Sequence, residues 1–567
     1  MYPRSKRRYP APKDGARWNN YSRPPPSHRH SGPSAPWPWI NIDDEIDAKL
    51  LASDQPPIPE MCDHSTCNGC WEGYPKSRFP NWTDSQVRRS GIKRAIQNYD
   101  KKNPCLVYYM DMINTGLFQN GGTLLVYDDE TYDHFWNRLV SIQRPVETRL
   151  RAIFVKNMSG PILQMLGAKY NIEPFFFSSS LSWIPSRFQE EVRPGKGDHI
   201  TITLTFLRAV EGNLSSTVSH ISEDTAVDDE VLDTQRPLYL GSGDGCYLVL
   251  DLLAVHLIRD EHSSTVISYH HTDPDTTAAE YLHERIRYAG KSVYWQNIFR
   301  NSPDPTFIVL LFLWHAMYAW DEALEVLYRH IIDMEKTVMD SADMYMTRGL
   351  HFIRAHHLHY ASLLQDMKKS VRFVLTTPNP AMENVAEDVK LFSEKLLEKE
   401  CNNLLIEIER LEMQLNMQDQ RLKNVMNLVF STVNIQDSSR MQELSEAAVR
   451  DSAAMKQIAY LTMIFLPASY TASVFGMNVK ELTVGAASGV LVYIAVALPL
   501  TFVTVWVIMT FQSKHFFPNR SGTTFWMRLA WPLLFFRSMF GLDPKSKDER
   551  LTILNGRREA AHAYNHV

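Results

Sequence analysis

The run IAYLTMIFLPASYTASVF at Ile458–Phe475 carries no charge and stops at Gly476-Met477-Asn478. A second uncharged run, with its core at Val490–Met509, follows a short connection, Val479–Ser488. Lys456 and Lys480 bracket the first run, and Glu481 and Lys514 bracket the second. Each is long enough to cross the hydrocarbon layer as a helix, so the pair reads as a membrane hairpin with a polar amide at its turn. Arg450 and Lys456 precede the first span, and Lys514, His515 and Arg520 follow the second, while the connection carries few charges. The positive-inside tendency then places both termini in the cytosol. The later stretch Phe525–Leu542 holds Arg528, Pro532 and Arg537, which fits an interfacial helix better than a third span. The expected segments are a first span at 457–478, an outer loop at 479–488, a second span at 489–511, and a basic cytosolic tail at 512–567 containing an interfacial helix at 525–542.

Upstream, neither Gly nor Pro occurs between Pro380 and Pro467. Leu397, Leu404, Leu411 and Val425 recur at heptad spacing, and Cys401, Ile408, Leu415, Leu422 and Val429 supply the second apolar position. That pattern predicts a coiled-coil-like packing seam on a long stalk over 381–456. One continuous helix of roughly eighty residues would span about 120 Å, unless Asp437-Ser438-Ser439 caps a new helix and divides it.

The rest of the chain alternates strand-like and helical runs. Cys105–Met110, Thr123–Tyr127, Arg151–Val155, Ile200–Leu207, Tyr247–Val255 and Ser264–Tyr269 read as strands, and Gly160–Tyr170 as a helix. The expected fold class is a cytosolic α+β domain with a mixed α/β sheet at 86–275, a helical part at 276–380, the stalk, and the two-helix hairpin. Phe307–Trp320 is apolar but short and contains His315, so it reads as a buried helix and not as a span.

Residues 1–40 hold eight Lys and Arg against the single acid Asp14, with Pro24-Pro25-Pro26 and little aliphatic content. Such a segment cannot bury enough surface to order itself, and a disordered basic, Pro-rich arm and linker is expected over 1–85. The net charge of the 567-residue chain is −5, which names no nucleic-acid partner. The start lacks the apolar core of a secretory signal. Six cysteines do not suggest an oxidised framework; Cys62, Cys67 and Cys70 sit together with His64. Those four are a candidate zinc set, although their spacing is not that of a familiar finger and a loop of reduced thiols is the other reading. With no phosphate loop, nucleophile elbow or catalytic metal motif, the chain reads as a non-enzyme without a cofactor or a small-molecule substrate.

On the first span, Met455, Ile458, Thr462, Leu466, Ser469 and Ser473 recur at intervals of three and four and draw one stripe of apolar and hydroxyl residues. Such a stripe can pack against neighbouring helices. It can equally wall a pore, with Met455, Ile458 and Leu466 as dewetting constrictions. Two helices cannot enclose an aqueous pore, so transport requires several subunits. The wording Met455-Lys456-Gln457-Ile458-Ala459-Tyr460-Leu461-Thr462-Met463-Ile464-Phe465-Leu466-Pro467, leading to Phe475-Gly476-Met477-Asn478, resembles the first transmembrane helix of the CorA magnesium-transporter superfamily and its signature tripeptide.

The resemblance implies a homopentamer that conducts Mg²⁺, and often Co²⁺ or Ni²⁺, through the bilayer. It places Met455, Ile458, Leu466, Ser469, Ser473 and Asn478 along the pore. Mg²⁺ sheds water reluctantly, so a ring of neutral Asn478 amides suits a mouth that holds the hydrated ion. Gly476 permits the turn there and Met477 packs beneath it. The chain departs from the family pattern in lacking the acidic Met-Pro-Glu loop after the tripeptide; it has Val479-Lys480-Glu481-Leu482 instead. Ser452 and Ser473 stand where relatives commonly place Asn and Gly. The divergent soluble part and the basic arm look like filamentous-fungal members. The alternatives are a ZntB-like zinc carrier and a membrane-anchored scaffold or sensor whose hairpin no longer conducts.

Overall fold

The computed structural model describes residues 31–33, 52–54, 57, 59–60, 62–64, 67, 69–140, 144–211, 233–240, 245–271, 276–340, 344–477 and 489–511. The chain divides into two compact units, one ending at Val433 and the other beginning at Asn434.

The first unit is built on a mixed sheet whose strands follow the alternation of its side chains. After α1 (Asp84–Arg89) and α2 (Ile92–Gln97) come β1 (Cys105–Ile113), β2 (Phe118–Val126), α3 (Asp129–Val140) and β3 (Thr148–Lys156). Then follow α4 (Gly160–Lys169), α5 (Phe175–Ser182), β4 (Ser186–Arg193), β5 (Gly197–Glu211), β6 (Leu238–Leu240), β7 (Cys246–Asp260) and β8 (Ser264–His270). The strand order is β2-β1-β3-β8-β7-β5-β4, with β6 paired to β7. All neighbours are antiparallel except β3 and β8, which run parallel from Leu150↔Ser264 to Lys156↔His270.

Because successive residues of a strand face opposite sides, the sheet feeds two cores. Val107, Tyr109, Ile153 and Val155 pack with Ile162, Leu166, Phe175 and Phe176 from α4 and α5. Met110, Met112, Ala152, Phe154, Leu204 and Phe206 pack on the other face against the later helices. These are α6 (Ala279–Ala289), α7 (Val293–Asn301), α8 (Phe307–Asp340), α9 (Met344–Thr376) and the first part of α10 (Glu387–Gly476). The result is a three-layer α/β/α arrangement, in keeping with the expected mixed fold class.

Among the described residues, three helices are long and apolar enough to cross a membrane, but 72% of the apolar window in α8 is buried, against 11% in α10 and 6% in α11 (Gly489–Phe511). Phe307–Leu313 is thus a core segment. The nine seam positions of the stalk, from Leu397 to Val429, are all buried in the main core. Their partners are helices of the same chain. Gln418, at the heptad position between Leu411 and Val425, is fully buried and donates to the Leu324 carbonyl of α8 at 2.8 Å. Lys368 of α9 reaches Glu412 at 2.8 Å, and Arg421 reaches Glu335 of α8 at 2.6 Å.

A buried ionic knot joins the sheet to the approach of the stalk. Arg259 of β7 meets Asp198 of β5 in a bidentate pair at 2.6 and 2.5 Å, and neither side chain is exposed. The same guanidinium donates to Thr306 Oγ1 at 3.0 Å and to the Pro378 carbonyl at 2.6 Å. Gln189 of β4 adds a further bond to Asp198.

Two expectations are corrected. The linker does not extend to residue 85: Tyr74 and Trp82 are buried in the second core, Tyr74 donates to the Ile172 carbonyl at 2.8 Å, and Ser31 donates to the Phe175 carbonyl at 3.0 Å. Aromatic side chains anchor this segment where aliphatic ones are missing. Nor does Asp437-Ser438-Ser439 divide the stalk, since α10 runs unbroken through it to Gly476 with those residues exposed. The arm over 1–30, the outer loop 479–488 and the tail 512–567, with its expected interfacial helix, lie outside the described residues.

Candidate functional site

In the second unit, the end of α10 and α11 contact each other through one face of each helix. Tyr493 donates to the Ala468 carbonyl at 3.2 Å, and the rings of Tyr493 and Phe475 meet edge to face at 6.4 Å. Pro467 and Thr471 of α10 and Ala497 of α11 are buried. Proline has no N–H to donate within the helix, and Thr471, one turn on, donates its hydroxyl to Pro467 O at 3.1 Å and to Ala468 O at 2.9 Å.

The six stripe residues Met455, Ile458, Thr462, Leu466, Ser469 and Ser473 are all exposed in the single chain. At about 100° per residue, the centre of that stripe lies roughly 180° from the face holding Pro467, Ala468, Thr471 and Phe475. The stripe therefore points away from the hairpin partner. Thr462 and Ser469 donate to the carbonyls of Ala459 and Leu466 at 2.9 and 3.0 Å. A hydroxyl that spends its proton on its own backbone still offers oxygen lone pairs outward. Gly476 and Met477 close the described part of the helix, with a Met477 amide bond to Val474 O at 3.3 Å; Asn478 lies outside the described residues.

Among the described residues, two further clusters of metal-ligating side chains stand in the first unit. Cys62, His64, Cys67 and Cys70 converge, with their ligand atoms within 4.8 Å of one another. A second group, Glu190, His199 and His256, escaped the sequence reading. Only strand register assembles it: Glu190 of β4 pairs with His199 of β5, and Thr201, two residues on, pairs with His256 of β7. Burial drives the His199 imidazole down to about 3, holds that of His256 well below its usual value, and raises the Glu190 carboxyl well above the carboxylate range. In each case burial disfavours the charged form. The histidines of α9 form no such set among the described residues, with His356 beside the Tyr360 hydroxyl and His359 beside Gln235.

Residues 250–513 match the family described as CorA-like Mg²⁺ transporter protein. This segment belongs to that family. The CorA-like segment begins within β7, takes in the helical layer and the whole stalk, and ends just beyond α11, so the hairpin and its stripe fall inside it. No curated protein matches the chain. Similar solved structures include the complete CorA magnesium transporter from Methanocaldococcus jannaschii, at 12% identity, covering 71% of this chain and 96% of that one with a TM-score of 0.38. The full-length CmaX protein is similar at 14% identity, with coverage of 71% and 97% and a TM-score of 0.31. The ZntB cytoplasmic domain from Vibrio parahaemolyticus is similar at 7% identity, with coverage of 56% and 97% and a TM-score of 0.28.

Proposed function

We propose that this chain is a subunit of a homopentameric membrane channel for divalent cations, with Mg²⁺ as the transported ion and both termini in the cytosol. The observation that carries this reading is the direction of the stripe within a CorA-like segment: α11 covers one side of α10 and leaves the mixed apolar and hydroxyl side for an axis shared by several copies. Met455, Ile458 and Leu466 then act as dewetting constrictions, and Thr462, Ser469 and Ser473 as stepping points for a hydrated ion. The Asn478 ring selects at the mouth by binding the hydration shell, which a neutral amide does without trapping a divalent charge. The chain works as a transporter and not as an enzyme.

The test is flux into liposomes holding a Mg²⁺-sensitive dye. The purified chain should admit Mg²⁺, Zn²⁺ added at equal concentration should compete poorly, and Asn478→Ala should abolish the selectivity. Wild-type liposomes no leakier than empty ones would refute conduction and leave the non-conducting scaffold that Lys480, beside the mouth, favours. A zinc flux exceeding that of Mg²⁺ would favour a ZntB-like carrier.

A further inference from the structure

We propose that Cys62, His64, Cys67 and Cys70 form a structural zinc site that clamps the N-terminal segment to the sheet domain, separate from any ion the membrane hairpin handles. Cys67 Sγ lies 3.5 Å from Cys70 Sγ, and His64 Nδ1 lies 3.6 Å from Cys67 Sγ and 3.3 Å from Cys70 Sγ, with Cys62 completing the group. A tetrahedron with Zn–S of about 2.3 Å and Zn–N of about 2.0–2.1 Å has S···S edges of about 3.8 Å and S···N edges of about 3.5 Å. The protein atoms therefore already stand near the corners of such a site. The three thiols are unpaired by disulfides, and their separation is far beyond a bond of about 2.05 Å.

The surroundings of His64 match those of a metal-bound imidazole. With Nδ1 turned to the thiols, the ring lies by the backbone of Lys169 at the end of α4, the kind of neighbour that fixes the tautomer of a liganding histidine. Its ring also meets Trp136 of α3 edge to face at 5.3 Å. His64 adopts φ +64°, a left-handed conformation unfavourable for a non-glycine residue, and ligation offsets that strain. Three thiolates and one imidazole select zinc and reject Mg²⁺, which takes oxygen ligands. The clamp is closed from outside by Arg78, which donates to the Glu60 carbonyl at 2.9 Å, and by Ser77, which donates to the Cys70 carbonyl at 3.4 Å.

The experiment is elemental analysis of the full chain purified in detergent without chelator, comparing wild type, Cys67→Ser/Cys70→Ser and Asn478→Ala. Wild type and Asn478→Ala should each carry one equivalent of zinc, released by a mercurial thiol reagent, and the double-serine variant should carry none. Wild-type protein expressed with Co²⁺ should show a thiolate-to-cobalt charge-transfer band and the intense visible bands of a tetrahedral site, a readout that does not depend on the variant folding. Zinc-free wild type, zinc retained by the double-serine variant, a wild type lacking the charge-transfer band, or zinc lost in Asn478→Ala would each overturn the proposal. None of these outcomes depends on whether liposomes conduct.

Discussion

Removing one partner of the Arg259–Asp198 pair should be among the most damaging single changes in the sheet domain. In Asp198→Ala the guanidinium remains fully buried with only Thr306 Oγ1 and the Pro378 carbonyl for company, and leaving one charge of a buried pair uncompensated costs about 3–5 kcal/mol. At roughly 2 °C per kcal/mol, near the lower bound for large domains, the melting temperature should fall by roughly 6–10 °C. The double variant Asp198→Leu/Arg259→Met removes both charges and should recover most of the loss, because apolar replacement of a whole buried pair is often close to neutral. The assay is tryptophan fluorescence of the full chain in detergent during heating and during urea titration, run for wild type, Asp198→Ala, Asp198→Leu, Arg259→Met and the double variant. The reasoning fails if Asp198→Ala shifts stability by less than about 1 kcal/mol, or if the double variant is as destabilised as the sum of the singles, since either result denies the coupling that contact implies.

Leu404→Ala, at a fully buried seam position, should cost about 2–5 kcal/mol in the same titration, whereas Glu398→Ala on the exposed face should change little. Burial lowers the His270 imidazole to about 4, so between pH 6.5 and 4 the unfolded chain takes up a proton that the folded chain refuses. Stability must fall as pH drops through that window, by on the order of 2 kcal/mol at pH 5 from this group alone, and His270→Gln should flatten that part of the measured pH–stability curve. Gly167→Ala drives a Cβ into the ring of Tyr74 and should destabilise by about 1–3 kcal/mol, with faster trypsin cleavage in the segment before residue 85 as its signature.

Legibility in the sequence followed how local each signal was. The seam from Leu397 to Val429 is legible because heptad spacing and the lack of Gly and Pro are properties of one helix, whereas Gln418 is not, because a polar residue breaks an apolar count. Its burial depends on the Leu324 carbonyl of another helix. The strands rich in β-branched residues were recognisable, but β4, reading SRFQEEVR, and the three-residue β6 were not; pairing with β5 and β7 makes them strands, not composition. Tyr74 and Trp82 read as linker because aromatic anchors among Pro, Gly and polar residues leave no periodicity. The cysteine and histidine cluster showed itself by proximity in the chain, whereas Glu190, His199 and His256 meet only through register. The stripe was visible from spacing, but its direction away from α11 was not, because that depends on where Tyr493 and Phe475 make contact.

The single parallel pair in the sheet sets a timetable for synthesis. β3 cannot bond its second neighbour until β8 exists, and the whole of 157–263 must be made between them. At roughly 5–20 residues per second, this leaves one edge of β3 waiting for roughly 5–20 s on the ribosome. That edge belongs to Ile153, Phe154 and Val155, all fully buried in the finished molecule, and an exposed apolar strand edge is a template for wrong pairing. Chaperone engagement during translation should therefore concentrate on this strand and end when β8 emerges, well before either apolar span has been synthesised.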